Sequence, residues 1–295
     1  MEFCVFGAGS LGTLIGGLLA RAHDVTLIGR EPHVSAIKRG GLQIEGKISE
    51  TVSPSAMTAV DESLSPDCAI VTVKAFDTET AARELTLCRP DVVCSLQNGV
   101  GNEAVLAEQH PTVLAGTATY GATLDPGVVR CTGIGEIQLG SPDGEIMAPA
   151  ERVGAAFEAA GLNCSVVEDM PRRLWEKLAV NAGINAVTAL ARIQNGGLSA
   201  GPGHEIAVAG AREAARVAQH NDIALTESAA VEALERVIDA TAANDSSMRQ
   251  DMRAQKRTEI DAINGVVAEY DDTPVNTTLA ALVRSFERER GLRDR

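Results

Sequence analysis

Hydrophobic positions follow two different rhythms along this chain. In the first half, short apolar runs alternate with amphipathic stretches. Glu2 to Phe6, Asp24 to Ile28, Cys68 to Val73, Val92 to Leu96 and Val113 to Thr119 are largely apolar and read as strands covered on both faces. Between them, Thr13 to Ala22, Asp77 to Leu87 and Asn102 to Gln109 suit helices. Strand and helix in alternation predict a doubly wound parallel sheet. From Gly127 to Gly140 the pattern becomes alternating residues broken by glycines, which predicts a β-hairpin appended to that sheet. A helix from Pro149 to Ala160 and a strand near Cys164 to Val167 close this half.

After Asp169-Met170-Pro171 the strand signals stop. Leu174 to Leu190, His204 to Asn221, Glu227 to Ala243, Thr258 to Glu269 and Thr277 to Arg290 are helical in spacing, most of them Ala-rich. The expected fold class is therefore α/β: a Rossmann-type doubly wound sheet over residues 1–168, then an all-helical domain over 169–295. No internal repeat or low-complexity tract interrupts either part.

Composition narrows the partners. The chain has 295 residues, 45% hydrophobic and 22% charged, as expected of an ordinary globular protein of two domains. Its net charge of −14 argues against nucleic acid and anionic membranes, which call for an excess of Lys and Arg. Six scattered cysteines form neither a C-x-x-C pair nor a metal-ligand cluster, so reduced thiols and no metal are expected. Neither a signal peptide nor a membrane-spanning run is evident, and the expected location is the cytoplasm. A homodimer is the default expectation for the Ala-rich helical part.

Gly7-Ala8-Gly9-Ser10-Leu11-Gly12 fits G-x-G-x-x-G directly after a strand and at the start of a helix. The first glycine permits a tight turn, the second lets a pyrophosphate approach the backbone, and the third lets helix pack on strand. The plainer alternative is a glycine turn chosen for packing alone. The second strand ends in Leu27-Ile28-Gly29-Arg30, putting Arg30 where an NAD site usually has an acidic residue. NADP is the expected cofactor, with Glu31 next door keeping NAD as the alternative.

In the helical half, Lys177, Asn181 and Asn185 are spaced i, i+4, i+8 and stay within about 80° of one helix face. Burying such groups costs several kcal/mol unless they are met by hydrogen-bonding partners, so a polar ligand is one reading. A stripe facing solvent or the other domain is the second. Further on, Ser247 with Gln250 fits a capping box and Thr258 with Asp261 a similar start. One straight helix would separate Ser247 from Glu259 by about 18 Å, so a bend between them is expected if both are to meet one small substrate.

These residues resemble the ketopantoate reductase (2-dehydropantoate 2-reductase) family. The resemblance spans most of the chain: the glycine motif, Val73-Lys74-Ala75, Gln97-Asn98-Gly99, Leu174 to Asn185, Ser246 to Asp251, Arg257 to Gly265 and Thr273 to Thr277. It implies reduction of a 2-ketoacid by NADPH, with Lys177 as proton donor to the ketone and Glu259 also in the catalytic set. Asn181, Asn185, Asn195 and Ser247 would hold the substrate, with Asn244 at its other end. Gly7, Ala8, Gly9, Ser10, Leu11, Gly12, Arg30, Lys74, Asn98, Ala122 and Glu259 would contact the cofactor. Many members have Pro where this chain has Ala186, which leaves the backbone there open.

The implied product is pantoate, on the route to pantothenate and coenzyme A. The alternatives are a related 2-ketoacid reductase, an NAD-dependent variant, or a non-catalytic NADPH sensor. In an acidic chain with five lysines, the cations Arg30, Lys74 and Lys177 would have to create a locally positive site for an anionic cofactor and substrate.

Overall fold

Residues 1–145 and 147–293 are described by the computed structural model, so the last two positions of the expected helical region lie outside the described residues. The first part runs β1 (Glu2–Phe6), α1 (Ser10–Leu19), β2 (Asp24–Ile28), α2 (His33–Gly40), β3 (Leu42–Gly46), β4 (Glu50–Val52) and β5 (Ser55–Met57). It continues through β6 (Cys68–Val71), α3 (Thr78–Leu85), β7 (Val92–Ser95), α4 (Asn102–Ala107), β8 (Val113–Ala118), β9 (Gly121–Asp125), β10 (Val128–Gly133), β11 (Ile137–Gly140), α5 (Ala148–Ala159) and β12 (Cys164–Val166). Helices α6 (Met170–Ala191), α7 (Pro202–His220), α8 (Glu227–Ala240), α9 (Ser247–Arg253) and α10 (Pro274–Glu289) follow.

Among the described residues the main sheet has the order β12-β11-β8-β7-β6-β1-β2-β5. From β5 to β8 all neighbours are parallel, and the order reverses direction at β1, between β2 and β6. That reversal is the switch point at whose carboxyl ends open α/β sheets bind ligands. Alternation along β1 explains the layers: Phe3 and Val5 pack with Leu14, Ile15 and Leu18 of α1, whereas Cys4 packs with Ala81 and Leu85 of α3. Each large side chain so buried contributes about 1.5–3 kcal/mol.

The hairpin expected over 127–140 needs correction. Its first strand, β10, pairs antiparallel with β9 and joins β3 and β4 in a separate four-stranded sheet. Its second, β11, lies antiparallel to β8 in the main sheet. Alternation marks a strand with two unlike faces but does not say which neighbour it pairs with.

The chain divides into two compact units, one of residues 1–97 and 101–171, the other of 98–100 and 172–293 among the described residues. In the second unit small residues bring α6 and α7 together: a Cβ on Gly183 would lie 2.7 Å from Ala207 O. Buried Glu213 accepts the Val275 and Asn276 backbone N–H groups at 2.9 Å each and so caps α10. The Asn276 amide donates to Glu213 at 2.7 Å and accepts from Asn264, whose amide also donates to Ala182 O of α6. Asn276, within the Thr273 to Thr277 motif, is thus the centre of a buried polar knot joining α6, α7 and α10. All six cysteines are buried free thiols. Among the described residues no helix is long and apolar enough to cross a membrane, and no cluster of acidic, His or Cys side chains is arranged to hold a metal.

Candidate active site

The glycine motif turns directly off the end of β1. Gly7 sits at φ +109°, and a Cβ there would lie 2.8 Å from Val73, so the turn after β1 touches the one after β6. Thr72 Oγ1 fixes this approach by donating to Gly7 O at 2.8 Å. A Cβ on Gly12 would collide with Gly7 O and Thr72 Oγ1. Gly9 differs: its nearest neighbour to an added Cβ is Gly7 O at 3.9 Å, so this position opens onto space. Helix α1 begins beside it with no side-chain cap and no acidic residue in its first turn. Its first N–H groups and positive dipole end therefore suit a phosphate, and the residues present fit a dinucleotide's pyrophosphate.

Arg30 follows β2 with 93% of its side chain exposed, 4.0 Å from Asp77 Oδ2. Glu31 is turned to a different task, accepting the Ser35 N–H of α2 at 3.2 Å. Hydrogen bonding to Ser35 holds its carboxyl below the usual range. Lys74 is half-buried at the start of a short turn after β6, closed by donation from Asp77 N–H to Lys74 O at 2.8 Å. That turn is buckled by Gln97, whose buried amide donates to Val73 O (3.1 Å) and Thr78 Oγ1 (2.8 Å). The role of Gln97 was not evident from its place in a motif. Ala122 lies in mid β9, partly buried against the core of the first unit.

In the second unit α6 is unbroken through Ala186, so the absence of proline there leaves a regular helix. Lys177 and Asn181 are half-buried, whereas Asn185 is buried and its Nδ2 has no hydrogen-bond partner among the described residues. Asn195 is also buried: its Nδ2 donates to Thr241 Oγ1 at 2.9 Å and its N–H to Asn244 O at 3.0 Å, leaving Oδ1 without a partner among the described residues. The side chains of Asn244 and Ser247 belong to exposed residues. The cap of α9 is Ser246, not Ser247, with Ser246 Oγ accepting the Arg249 N–H at 3.2 Å. Ser246 also lies 2.7 Å from Thr188 Oγ1, which ties the start of α9 to the turn of α6 that follows Asn185.

The expected bend between Ser247 and Glu259 is present. Helix α9 ends at Arg253, Gln255 adopts φ +51°, and a π-helical turn spans Asp261–Gly265. Buried Glu259 lies just before that turn and accepts from Asn98 Nδ2 at 3.1 Å. Gly99 lets this contact form: its φ is +91°, and an added Cβ would lie 2.6 Å from Ala262 O. Beyond Glu259, burial opposes ionisation of Asp261, but hydrogen bonds from Arg293 and Arg284 hold its carboxyl below the usual range.

A parallel sheet with a phosphate-fitting glycine turn at its switch point, in a chain whose second unit is helical, defines a Rossmann-type dinucleotide-binding protein. Comparison narrows this class. The family model described as "Ketopantoate reductase PanE/ApbA" matches residues 3–144, and its C-terminal counterpart matches 169–287. The 2-dehydropantoate 2-reductase of Halobacterium salinarum is 41% identical, covering 98% of this chain and all of that protein. That of Archaeoglobus fulgidus is 39% identical over 96% and 97% of the two chains. A crystal structure of a PanE/ApbA family ketopantoate reductase from Ralstonia eutropha superposes with a TM-score of 0.89 at 31% identity, covering 99% of this chain and 100% of the other. D-mandelate dehydrogenase with NADH and anilino(oxo)acetate shares the fold at a TM-score of 0.93 and 24% identity over 99% and 100% of the chains. The chain belongs to the ketopantoate reductase family.

Proposed function

We propose that this protein is an oxidoreductase that reduces the ketone of 2-dehydropantoate to the alcohol of pantoate, with NADPH as reductant, in the supply of pantothenate and coenzyme A. The names of its relatives support the reaction, and the observation that carries the site is Asn185. An amide N–H buried without a partner costs about 1–3 kcal/mol, which an oxygen of a bound 2-ketoacid would offset. The Asn195 Oδ1 asks in the same way for a donor such as the substrate hydroxyl.

Gly7 to Gly12, Arg30, Lys74, Asn98, Ala122 and Glu259 would hold the dinucleotide, which when bound supplies the hydride that adds to the ketone carbon. Negative charge then grows on the ketone oxygen. The Lys177 ammonium polarises that oxygen and donates its proton to it, and the resulting amine recovers a proton from solvent. Asn181, Asn185, Asn195 and Ser247 orient the ketoacid, with Asn244 toward its other end. NADP preference is supported by the exposed Arg30 guanidinium and by the engagement of Glu31 with α2. A related 2-ketoacid reductase using NADH is the second reading, favoured by Asp77 beside Arg30, which would oppose a 2′-phosphate. Initial rates of NADPH and NADH oxidation with 2-dehydropantoate and a panel of other 2-ketoacids separate the two. The first reading requires the highest kcat/KM for NADPH with 2-dehydropantoate.

A further inference from the structure

We propose that Glu287 is a positioning residue for Glu259: its buried carboxylate, paired with Arg293, fixes Thr258 and thereby aims the neighbouring Glu259. The inference rests on the reading above that Glu259 meets cofactor or substrate.

Glu287 is fully buried in the last turn of α10. Both features are unfavourable, because a buried carboxylate must be compensated and a negative charge opposes the dipole at a helix C-terminus. The compensation comes from two residues. Glu287 Oε1 accepts both the backbone N–H and the hydroxyl of Thr258, each at 2.7 Å. Glu287 Oε2 accepts from Arg293, whose Nε lies at 2.9 Å and Nη2 at 2.8 Å.

The same contacts define the backbone on both sides of Glu259. Thr258 Oγ1 accepts the Ile260 N–H at 3.2 Å, so the residues before and after Glu259 are tied to each other. Two residues on, Asp261 is bound by Arg293 at 2.6 Å and by Arg284 Nε at 2.9 Å. Gly265 N–H then closes the π-helical turn on Ile260 O at 2.8 Å. Such turns are frequent at functional sites. Between these fixed points the Glu259 side chain reaches Asn98. A carboxylate whose direction matters needs a rigid mount, and Glu287 with Arg293 supplies one on the residue just before Glu259.

A double-mutant cycle tests this. Thr258→Val keeps the side-chain volume and removes the hydroxyl bonds; Glu287→Gln keeps the size and removes the charge. Each is made alone and with Glu259→Gln, and single-turnover rates are read below the lowest Tm. The substrate is whichever 2-ketoacid of a panel the wild type reduces fastest. At saturating dinucleotide we expect each to lower the rate about 10–100-fold in the wild-type background and less than about 3-fold beside Glu259→Gln, with any rise in dinucleotide Kd likewise confined to the background that keeps Glu259. Thr258→Ser should recover most of the rate. Equal losses in both backgrounds, or a lowered Tm with an unchanged rate, would overturn the inference. If Thr258→Val does not fold, Arg293→Gln takes its place in the cycle under the same criteria. Wild-type protein that ignores 2-dehydropantoate but reduces another ketoacid would reject the proposed substrate and leave this test intact.

Discussion

Asn98 Nδ2 donates to Glu259 Oε2 across 3.1 Å, joining two residues 161 positions apart. Both belong to the helical unit, although Asn98 follows directly on the strand-rich first unit. Asn98→Asp would set two carboxylates against each other, raising the pKa of the pair. We expect kcat/KM to fall about 10–100-fold at neutral pH and to recover partly as the pH is lowered and one carboxyl takes a proton. A pH–rate profile with no low-pH recovery would count against the charge argument.

Lys177 is the proposed proton donor. Lys177→Ala should lower kcat about 10²–10⁴-fold, the range typical of a lost general acid. NADPH affinity, measured by fluorescence titration, should stay close to wild type. Near-normal turnover would remove Lys177 from the mechanism.

The glycine turn separates packing from binding. Gly12→Ala forces a methyl group onto Gly7 O and Thr72 Oγ1 and should lower Tm by several degrees. Gly9→Ala meets open space and should fold with nearly unchanged Tm. Its methyl group would occupy the phosphate position, so the dinucleotide Kd should rise at least about 10-fold. Intact cofactor affinity in Gly9→Ala would place the pyrophosphate elsewhere.

Arg30 should decide cofactor choice. Arg30→Ala is expected to raise KM for NADPH about 10–100-fold, the loss of a charge-assisted phosphate contact, and to change KM for NADH little. Parallel changes for both cofactors would show that Arg30 does not read the 2′-phosphate.

His33 gives a pH signature of folding. It is buried, with Nδ1 accepting the Gly127 N–H at 3.0 Å and Nε2 lying 3.1 Å from Thr13 Oγ1, an arrangement for a neutral ring. Burial pushes its pKa below the usual histidine value, against a smaller opposing effect of a hydrogen bond at Asp125. Below about pH 6.5 the unfolded chain therefore takes up a proton that the folded chain refuses, and stability falls with pH by at most about 1.4 kcal/mol per unit. The Tm advantage of wild type over His33→Gln should narrow from pH 7 to pH 5. A constant difference would show that His33 titrates alike in both states.

The main elements were more legible in the sequence than the wiring between them. Strands such as Val92 to Ser95 announce themselves as apolar runs, and α6 by its spacing. Residues 42–57 carry short, half-polar strands, of which β3 and β4 join the second sheet while β5 pairs with β2 at the edge of the main one, and no local pattern specifies that division. Ser246 and Ser247 are chemically alike, so only the direction of the chain entering α9 selects the cap. Nothing in the neighbouring sequence marks Glu213, Gln97 and Glu287 as buried. They are buried because their partners, at Asn276, Thr78 and Thr258, arrive from distant segments.

The excursion of residues 98–100 makes the protein poorly modular. The chain passes from one unit to the other after Gln97, returns after Val100, and passes again after Pro171. No single cut releases either unit whole. A fragment ending near residue 168 would keep Gly99 without the Ala262 turn it docks on, and the remaining fragment would keep Glu259 without Asn98. Exchange of either half with a distant relative, by recombination or by design, would have to carry this three-residue strap along with the helical unit it serves.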